Sequence, residues 1–230
     1  MIRPLPCSHL LRRAAAWLCL VWLAAGAASI FSLGACAAPQ PVVTLQHDPR
    51  VPYGAEDYRT VLARWTRSQV ITVLRELGTT LRVHATLRSA EFDAAYVTRW
   101  SALFRLLPAA KAELARELAT QRAGSFGFVV VAATHDRDWN DFDRPRSQWR
   151  LALLNDRGEQ VDARRIQREP RPSTTDRAMF PQLGAFYRLY RVEFPSALPD
   201  GRPLVRAETR ELLLSVAGPL GRAELRWRLR

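Results

Sequence analysis

The sequence predicts a mainly β fold, an antiparallel β-sandwich of about seven or eight strands with a two-helix insertion after its first hairpin. Two features carry that reading. From Phe126 onward, apolar and polar residues alternate in short runs divided by Gly-, Pro- and Asp-containing turns, the period of half-buried strands. Between Ser89 and Ala123 the apolar residues instead recur at three- and four-residue steps, the period of helices. A third feature limits how such a fold is held: beyond residue 35 the only cysteine is Cys36, so the domain has no internal disulfide and stands on its core alone.

The chain opens with an export signal. Arg12 and Arg13 precede Ala14 to Leu33, a mostly apolar run, and no Lys, Arg, Asp or Glu lies between Arg13 and Asp48. About 20 apolar residues at 1.5 Å each match ~30 Å of hydrocarbon, so this segment can enter a bilayer. Leu33-Gly34-Ala35-Cys36 resembles the bacterial lipobox, in which an aliphatic residue and two small residues precede a cysteine that is acylated and becomes the first mature residue. The resemblance implies lipidation of Cys36, and Ala37, standing where an Asp would signal inner-membrane retention in Gram-negative bacteria, implies the outer membrane, facing the periplasm. Two alternatives use the same residues. Ala35-Cys36-Ala37 also fits ordinary signal cleavage, and the run with Trp17 and Trp22 also suits an uncleaved anchor.

Residues 1–35 are thus expected to be signal, 36–52 a flexible tether containing Pro39, Pro41, Pro49 and Pro52, and 53–230 one domain with its helical insertion at about 89–123. Tyr58, Val61, Leu62 and Trp65 share one face of a short helix within Gly54 to Arg67. Val70 to Leu77 and Thr80 to Leu87 form a hairpin. Ser89 caps a helix with the stripe Phe92, Tyr96, Trp100, Leu103 and Leu107, and Pro108 opens a second helix to Arg122 with Ala110, Leu114 and Leu118 inward. Phe126 to Ala133, apolar on both faces, is expected to be a central strand covered on each side.

Trp149, Leu151 and Leu153 alternate into the turn Asn155-Asp156-Arg157-Gly158, from which Glu159 to Ile166 returns. Glu169 to Pro181 crosses with one helical turn after Ser173, and Gly184 to Pro195 is a strand with Phe186, Tyr190, Val192 and Phe194 on one face. Glu211 to Ala217 is a strand, and Ala223, Leu225, Trp227 and Leu229 face inward from a terminal edge strand whose arginines deter pairing.

Charge and motifs narrow the chemistry. Removing residues 1–35, with Arg3, Arg12 and Arg13 and no acid, lowers the net charge from +12 by three to +9. All but one of the 34 basic residues are arginine, scattered rather than gathered in a stripe, so nucleic acid is not the expected partner. Anionic lipid head groups or an envelope protein are. The loop His135 to Asp143 carries the best metal candidate, since Asp136, Asp138 and Asn140 have the alternating oxygens of a calcium loop, with Asp141 and Asp143 beside them. The match breaks at Asp141, where such loops need glycine, and at Ser147, where a bidentate Glu belongs.

The competing reading of that loop is Asp and Asn side chains capping backbone while Trp139 and Phe142 anchor it. Of the histidines beyond the signal, His47, His84 and His135, none falls in an H-E-x-x-H motif, and Gly124-Ser125-Phe126-Gly127 is not a nucleophile elbow. Phe180, Phe186, Tyr187, Tyr190 and Phe194 form an aromatic group fit for ligand contact or core.

Arg64-Trp65-Thr66-Arg67, Trp139-Asn140-Asp141 with Trp149-Arg150, Phe194-Pro195, and Gly218-Pro219-Leu220-Gly221 followed by Glu224-Leu225-Arg226-Trp227 together resemble an uncharacterised group of predicted lipoproteins from Gram-negative bacteria. The resemblance spans about Tyr58 to Trp227 and implies no activity. The expected function is a non-catalytic cell-envelope lipoprotein without a cofactor, and the alternative is a metal-dependent envelope protein, calcium-binding or hydrolytic, using residues 135–143.

Overall fold

The computed structural model describes residues 40–45, 56–73 and 78–230, and the signal segment, Cys36 and the remaining tether lie outside them. Within the described residues the chain is mainly β, with ten strands in two open five-stranded sheets and four α-helices. The expected seven or eight strands undercount because β1 (Val42–Val43) falls in the expected tether and β6 (Gln160–Asp162) falls with the following strand in one expected arm.

One sheet has the order β1-β10-β9-β5-β6, built from β1, β5 (Arg150–Asn155), β6, β9 (Glu211–Gly218) and β10 (Gly221–Leu229). The other has the order β2-β3-β4-β8-β7, from β2 (Thr66–Val73), β3 (Gly78–Leu87), β4 (Ser125–Thr134), β7 (Arg165–Glu169) and β8 (Arg188–Pro195). Their inner faces meet in a sandwich-like core where Trp227 lies edge-on to Phe128 at 5.4 Å and Phe128 edge-on to Phe194 at 5.6 Å. β4 is the middle strand of its sheet, as its two apolar faces predict.

The tether expectation fails at Val42 and Val43. They pair in parallel with Arg228 and Leu229, Val43 is buried, and the Arg230 N–H donates to the Val43 carbonyl. β10 is therefore an edge strand only beyond this short partner, and side chains of β2 cover more of its backbone: the Glu224 N–H donates to Gln69 Oε1 at 2.5 Å and Arg67 Nε to the Arg226 carbonyl at 2.8 Å.

The first hairpin begins earlier than expected. Helix α1 (Tyr58–Trp65) passes into β2 with no loop, because Thr66 is already extended at φ −96°. In this register Arg67 is buried while Val70 is 52% exposed.

The return arm Glu159 to Ile166 is two strands. β6 pairs with β5, the chain crosses at Ala163 and Arg164, and β7 pairs with β8 in the opposite sheet. The crossing spends no backbone groups, since the Ala163 N–H donates to Leu151 and the Arg164 N–H to Glu193. At the β9–β10 turn, a Cβ on Gly218 would stand 2.6 Å from the Gln148 carbonyl oxygen and 2.8 Å from the Trp149 ring, so only glycine fits that approach.

Helices α2 (Ala90–Phe104) and α3 (Pro108–Arg122) form the insertion, and α4 (Thr174–Met179) opens with a reciprocal capping box between Ser173 and Asp176. The Ser89 hydroxyl accepts from the Phe92 N–H at 3.1 Å, as expected. Several residues on the expected apolar faces are not buried. Leu103 and Leu107 are exposed, and of the α3 residues Ala110, Leu114 and Leu118 only Leu118 is buried. Phe186 precedes β8 and is 72% exposed, so it does not share the core face of Tyr190, Val192 and Phe194.

Val130 has no exposed surface and Arg228 is exposed on the opposite phase of β10. Val130→Asp buries an unpaired carboxylate at a cost of several kcal/mol against a total stability of about 5–15 kcal/mol, and is expected to unfold the domain. Arg228→Asp is expected to cost about 0.5 kcal/mol or less. Urea melts of the two variants check this, and similar midpoints would show the core to be misplaced.

Candidate functional site

A cavity lies on the outer face of the β2–β7 sheet, under the helical insertion. Its volume is about 260 Å³. Phe92 and Tyr96 from α2, Leu118 and Gln121 from α3, and Phe180 after α4 enclose it, over a floor of Gly127 to Val129 in β4 and Arg191 to Glu193 in β8. The floor is open because position 127 has no side chain: a Cβ there would meet Arg88 Cδ at 3.6 Å, ordinary contact, so a larger residue fits the backbone but occupies the space.

The walls are aromatic. Phe92 lies 6.1 Å from Tyr96 and 6.4 Å from Phe180, and the Tyr58 hydroxyl holds the end of α4 by donating to the Met179 carbonyl at 2.9 Å. Burial pushes the Tyr58 and Tyr96 hydroxyls above their ordinary range, so both stay protonated at neutral pH.

The charged rim is held in place by ion pairs. Buried Asp93 accepts from Arg88 Nε at 3.1 Å and Arg122 Nη1 at 2.6 Å, tying β3 to both insertion helices. Burial raises the Asp93 carboxyl above the usual range in spite of the two guanidiniums, which pull it down. Arg191 lies 3.6 Å from Asp176, and Glu193 lies 3.7 Å from Arg164. Fixed arginines beside aromatic walls suit a small amphipathic molecule, its ring or acyl body among Phe92, Tyr96 and Phe180 and its anionic group at the rim. The sequence reading included only Phe180 of these residues among its ligand candidates. Gly127 interrupting an apolar strand was the available signal, since such a glycine marks a close approach or an opening.

The loop 135–143 is tightly self-bonded. Asp136 caps the single 3-10 turn Arg137–Trp139 by accepting from the Asp138 N–H at 2.8 Å. Asn140 is 2% exposed: its Nδ2 donates to the Ala132 carbonyl at 2.8 Å, and the Tyr190 hydroxyl lies 2.7 Å from its carbonyl oxygen and 2.9 Å from its Oδ1. Burial raises Tyr190 to about 12. Asp141, also buried, accepts from Ser147 Oγ at 2.9 Å, and Asp143 lies 3.9 Å from Arg168. Phe142 packs against Trp149 and Tyr190, and Trp149 Nε1 donates to the Trp139 carbonyl at 2.7 Å.

The five proposed ligands are thus spread around the loop, each with its own partner or facing solvent. Among the described residues no group of three His, Cys, Asp or Glu side chains converges on a point. A smaller cleft of about 170 Å³ lies beside the loop, where Arg137 covers the ring of exposed Phe186 at 5.4 Å. Tyr187 instead faces His84 at 5.9 Å, and burial lowers the His84 pKa.

No family model, no curated protein and no solved structure matches the chain. Cys36 lies outside the described residues, as does the apolar run before it, and among the described residues no helix is long and apolar enough to cross a membrane.

The loop geometry makes Asn140 the residue whose loss is felt. Asn140→Ala removes the side-chain donor to the Ala132 carbonyl, while the Tyr190 hydroxyl keeps the backbone carbonyl of residue 140, and is expected to cost about 1–3 kcal/mol, whereas Asp138→Asn on the exposed side is expected to cost about 0.5 kcal/mol or less. Calcium or a chelator is expected to leave the melting temperature of the native chain unchanged. Calorimetry checks both, and a calcium-dependent rise abolished by Asp138→Asn would restore the metal reading.

Proposed function

We propose that this protein is a non-catalytic cell-envelope lipoprotein, anchored through acylated Cys36 and carrying a sandwich domain that binds a small amphipathic ligand beneath its helical insertion. The observation that carries the binding reading is the cavity itself, with an aromatic wall, a glycine floor and arginines already fixed by carboxylates. The anchor reading rests on the sequence of residues 12–36, and β1 sharpens it. Only Ala37 to Pro41 separate Cys36 from Val42, roughly 20 Å of extended chain, so an acyl group on Cys36 holds the domain near the bilayer rather than on a long leash. Ala37 favours the outer membrane, with the domain in the periplasm.

Cys36→Ser is expected to abolish metabolic labelling by palmitate and either free the protein from membranes or leave it as a larger precursor. Unchanged size and labelling would overturn the anchor.

For the cavity, the aromatic sulfonate dye 1-anilinonaphthalene-8-sulfonate serves as an amphipathic anionic probe. The native chain is expected to bind it saturably, and Gly127→Leu is expected to weaken that binding about tenfold or more by filling the floor, with little change in melting temperature. Equal dye affinity in the two proteins, measured by fluorescence titration, would remove the cavity from the proposal.

A further inference from the structure

The corner joining α2 to α3 is apolar where the rest of the described surface is mostly charged. Leu103 is 42% exposed, Phe104 50% and Leu107 74%, which places three exposed large apolar side chains within five residues at this corner. Trp100 continues the patch inward, its ring 4.8 Å from that of Phe104. The charge around this tip has a single sign. From Tyr96 to Ala112 the chain contains Arg99, Arg105 and Lys111 and no Asp or Glu. All three cations are exposed, and none forms an ion pair among the described residues, although most arginines around the cavity and the turns are paired.

The backbone adds an independent observation. Arg105, the C-cap of α2, sits at φ 52°, ψ 45°, and it is the one non-glycine residue with positive φ among the described residues. Glycine is the usual occupant of that left-handed position, so an arginine there strains the backbone while placing a cation beside the apolar tip.

We propose that the α2–α3 corner is a membrane-docking wedge, in which Phe104, Leu103 and Leu107 enter the head-group boundary of an anionic bilayer and Arg99, Arg105 and Lys111 bind its phosphates. Exposed apolar side chains flanked along the chain by exposed cations match a fluid anionic interface, and Trp100 adds an aromatic of the kind favoured there. The wedge does not depend on acylation of Cys36. Unchanged size and labelling of Cys36→Ser would overturn the anchor and leave the wedge standing.

The experiment uses the full chain mixed with vesicles of phosphatidylcholine alone or with phosphatidylglycerol added. The photo-crosslinking residue p-benzoylphenylalanine replaces Leu107, or Arg157 in the exposed β5–β6 turn as a control. Lipid adducts are expected from position 107 several-fold above position 157, and more with phosphatidylglycerol than without. Arg105→Gly, which relieves the positive φ, and Lys111→Ala, on an exposed helical face, are each expected to lower the adduct yield at position 107 about fivefold. Arg105→Gly is expected to do so without lowering the melting temperature. Equal yields at the two positions, indifference to phosphatidylglycerol or to both charge deletions, or adducts formed with protein instead of lipid would each overturn the proposal.

Discussion

The guanidinium of Arg67 lies between the two sheets without a carboxylate partner, and the neighbouring architecture is arranged around it. It donates to four backbone carbonyls, those of Arg226 at 2.8 Å, Arg64 and Thr66 at 2.9 Å and Pro41 at 3.2 Å. Its charge also lies 5.7 Å from the centre of the Trp227 ring. Burial pulls its pKa down from the ordinary arginine value, the mark of a desolvated cation. The four carbonyls belong to the lead-in to β1, the end of α1, the start of β2 and the middle of β10, so one side chain fixes the place where the helix becomes a strand and where the two sheets' edges meet. Trp227 completes the joint by donating from Nε1 to the Trp65 carbonyl at 2.9 Å. A hydrophobic residue at 67 would fill the space but leave those carbonyls without their donor, and the cost of unpaired buried acceptors explains why an arginine is kept there.

With the sheets joined at that edge, the helices can gather on one side. α1, α2 and α4 share a buried aromatic group of Tyr58, Phe92 and Phe180 against the outer face of the β2–β7 sheet. The outer face of the opposite sheet carries Arg150 and Asp162 in a bidentate pair and Arg226 between Glu211 and Glu224. These exposed pairs contribute little to stability and are better understood as a solvated face. The asymmetry is what creates a cavity: helices reach across the sheet, contact it through a few large side chains and leave space where position 127 supplies none.

Much of this was legible in the sequence wherever one periodicity ran uninterrupted. β4, β9 and β10, the Ser89 cap, the Pro108 start and the paired inward tryptophans Trp149 and Trp227 stand where the residues put them. Legibility failed where a residue's apparent polarity misstated its burial. Arg67 is buried where Val70 is exposed, and no local pattern shows a guanidinium finding four carbonyls across two sheets. The strand switch at Ala163 and Arg164 was hidden because the two strands are short and run on without a turn residue, and the change of pairing partner marks the crossing. The Asp-rich loop was the opposite case. Its residues stand in the spacing of calcium ligands, but that spacing equally serves Asx capping, and which of the two holds depends on a tertiary partner, Tyr190, fifty residues away.

The aromatic row of α2 loses its burial along the helix, and the reason is geometric. Phe92, Tyr96, Trp100 and Phe104 lie four residues apart, and their rings follow one another at 6.1, 5.6 and 4.8 Å along the helix. A straight helix laid on a twisted sheet stays in contact for only part of its length. Burial accordingly falls along the row, from Phe92 at 1% exposed, through partly buried Tyr96 and Trp100, to Phe104 at 50%. The same periodicity that packs the first turns against β4 and β8 therefore carries the last turn out beyond the sheet. What the sequence encodes as one hydrophobic face becomes, through the twist beneath it, a cavity wall at one end and an exposed apolar tip at the other.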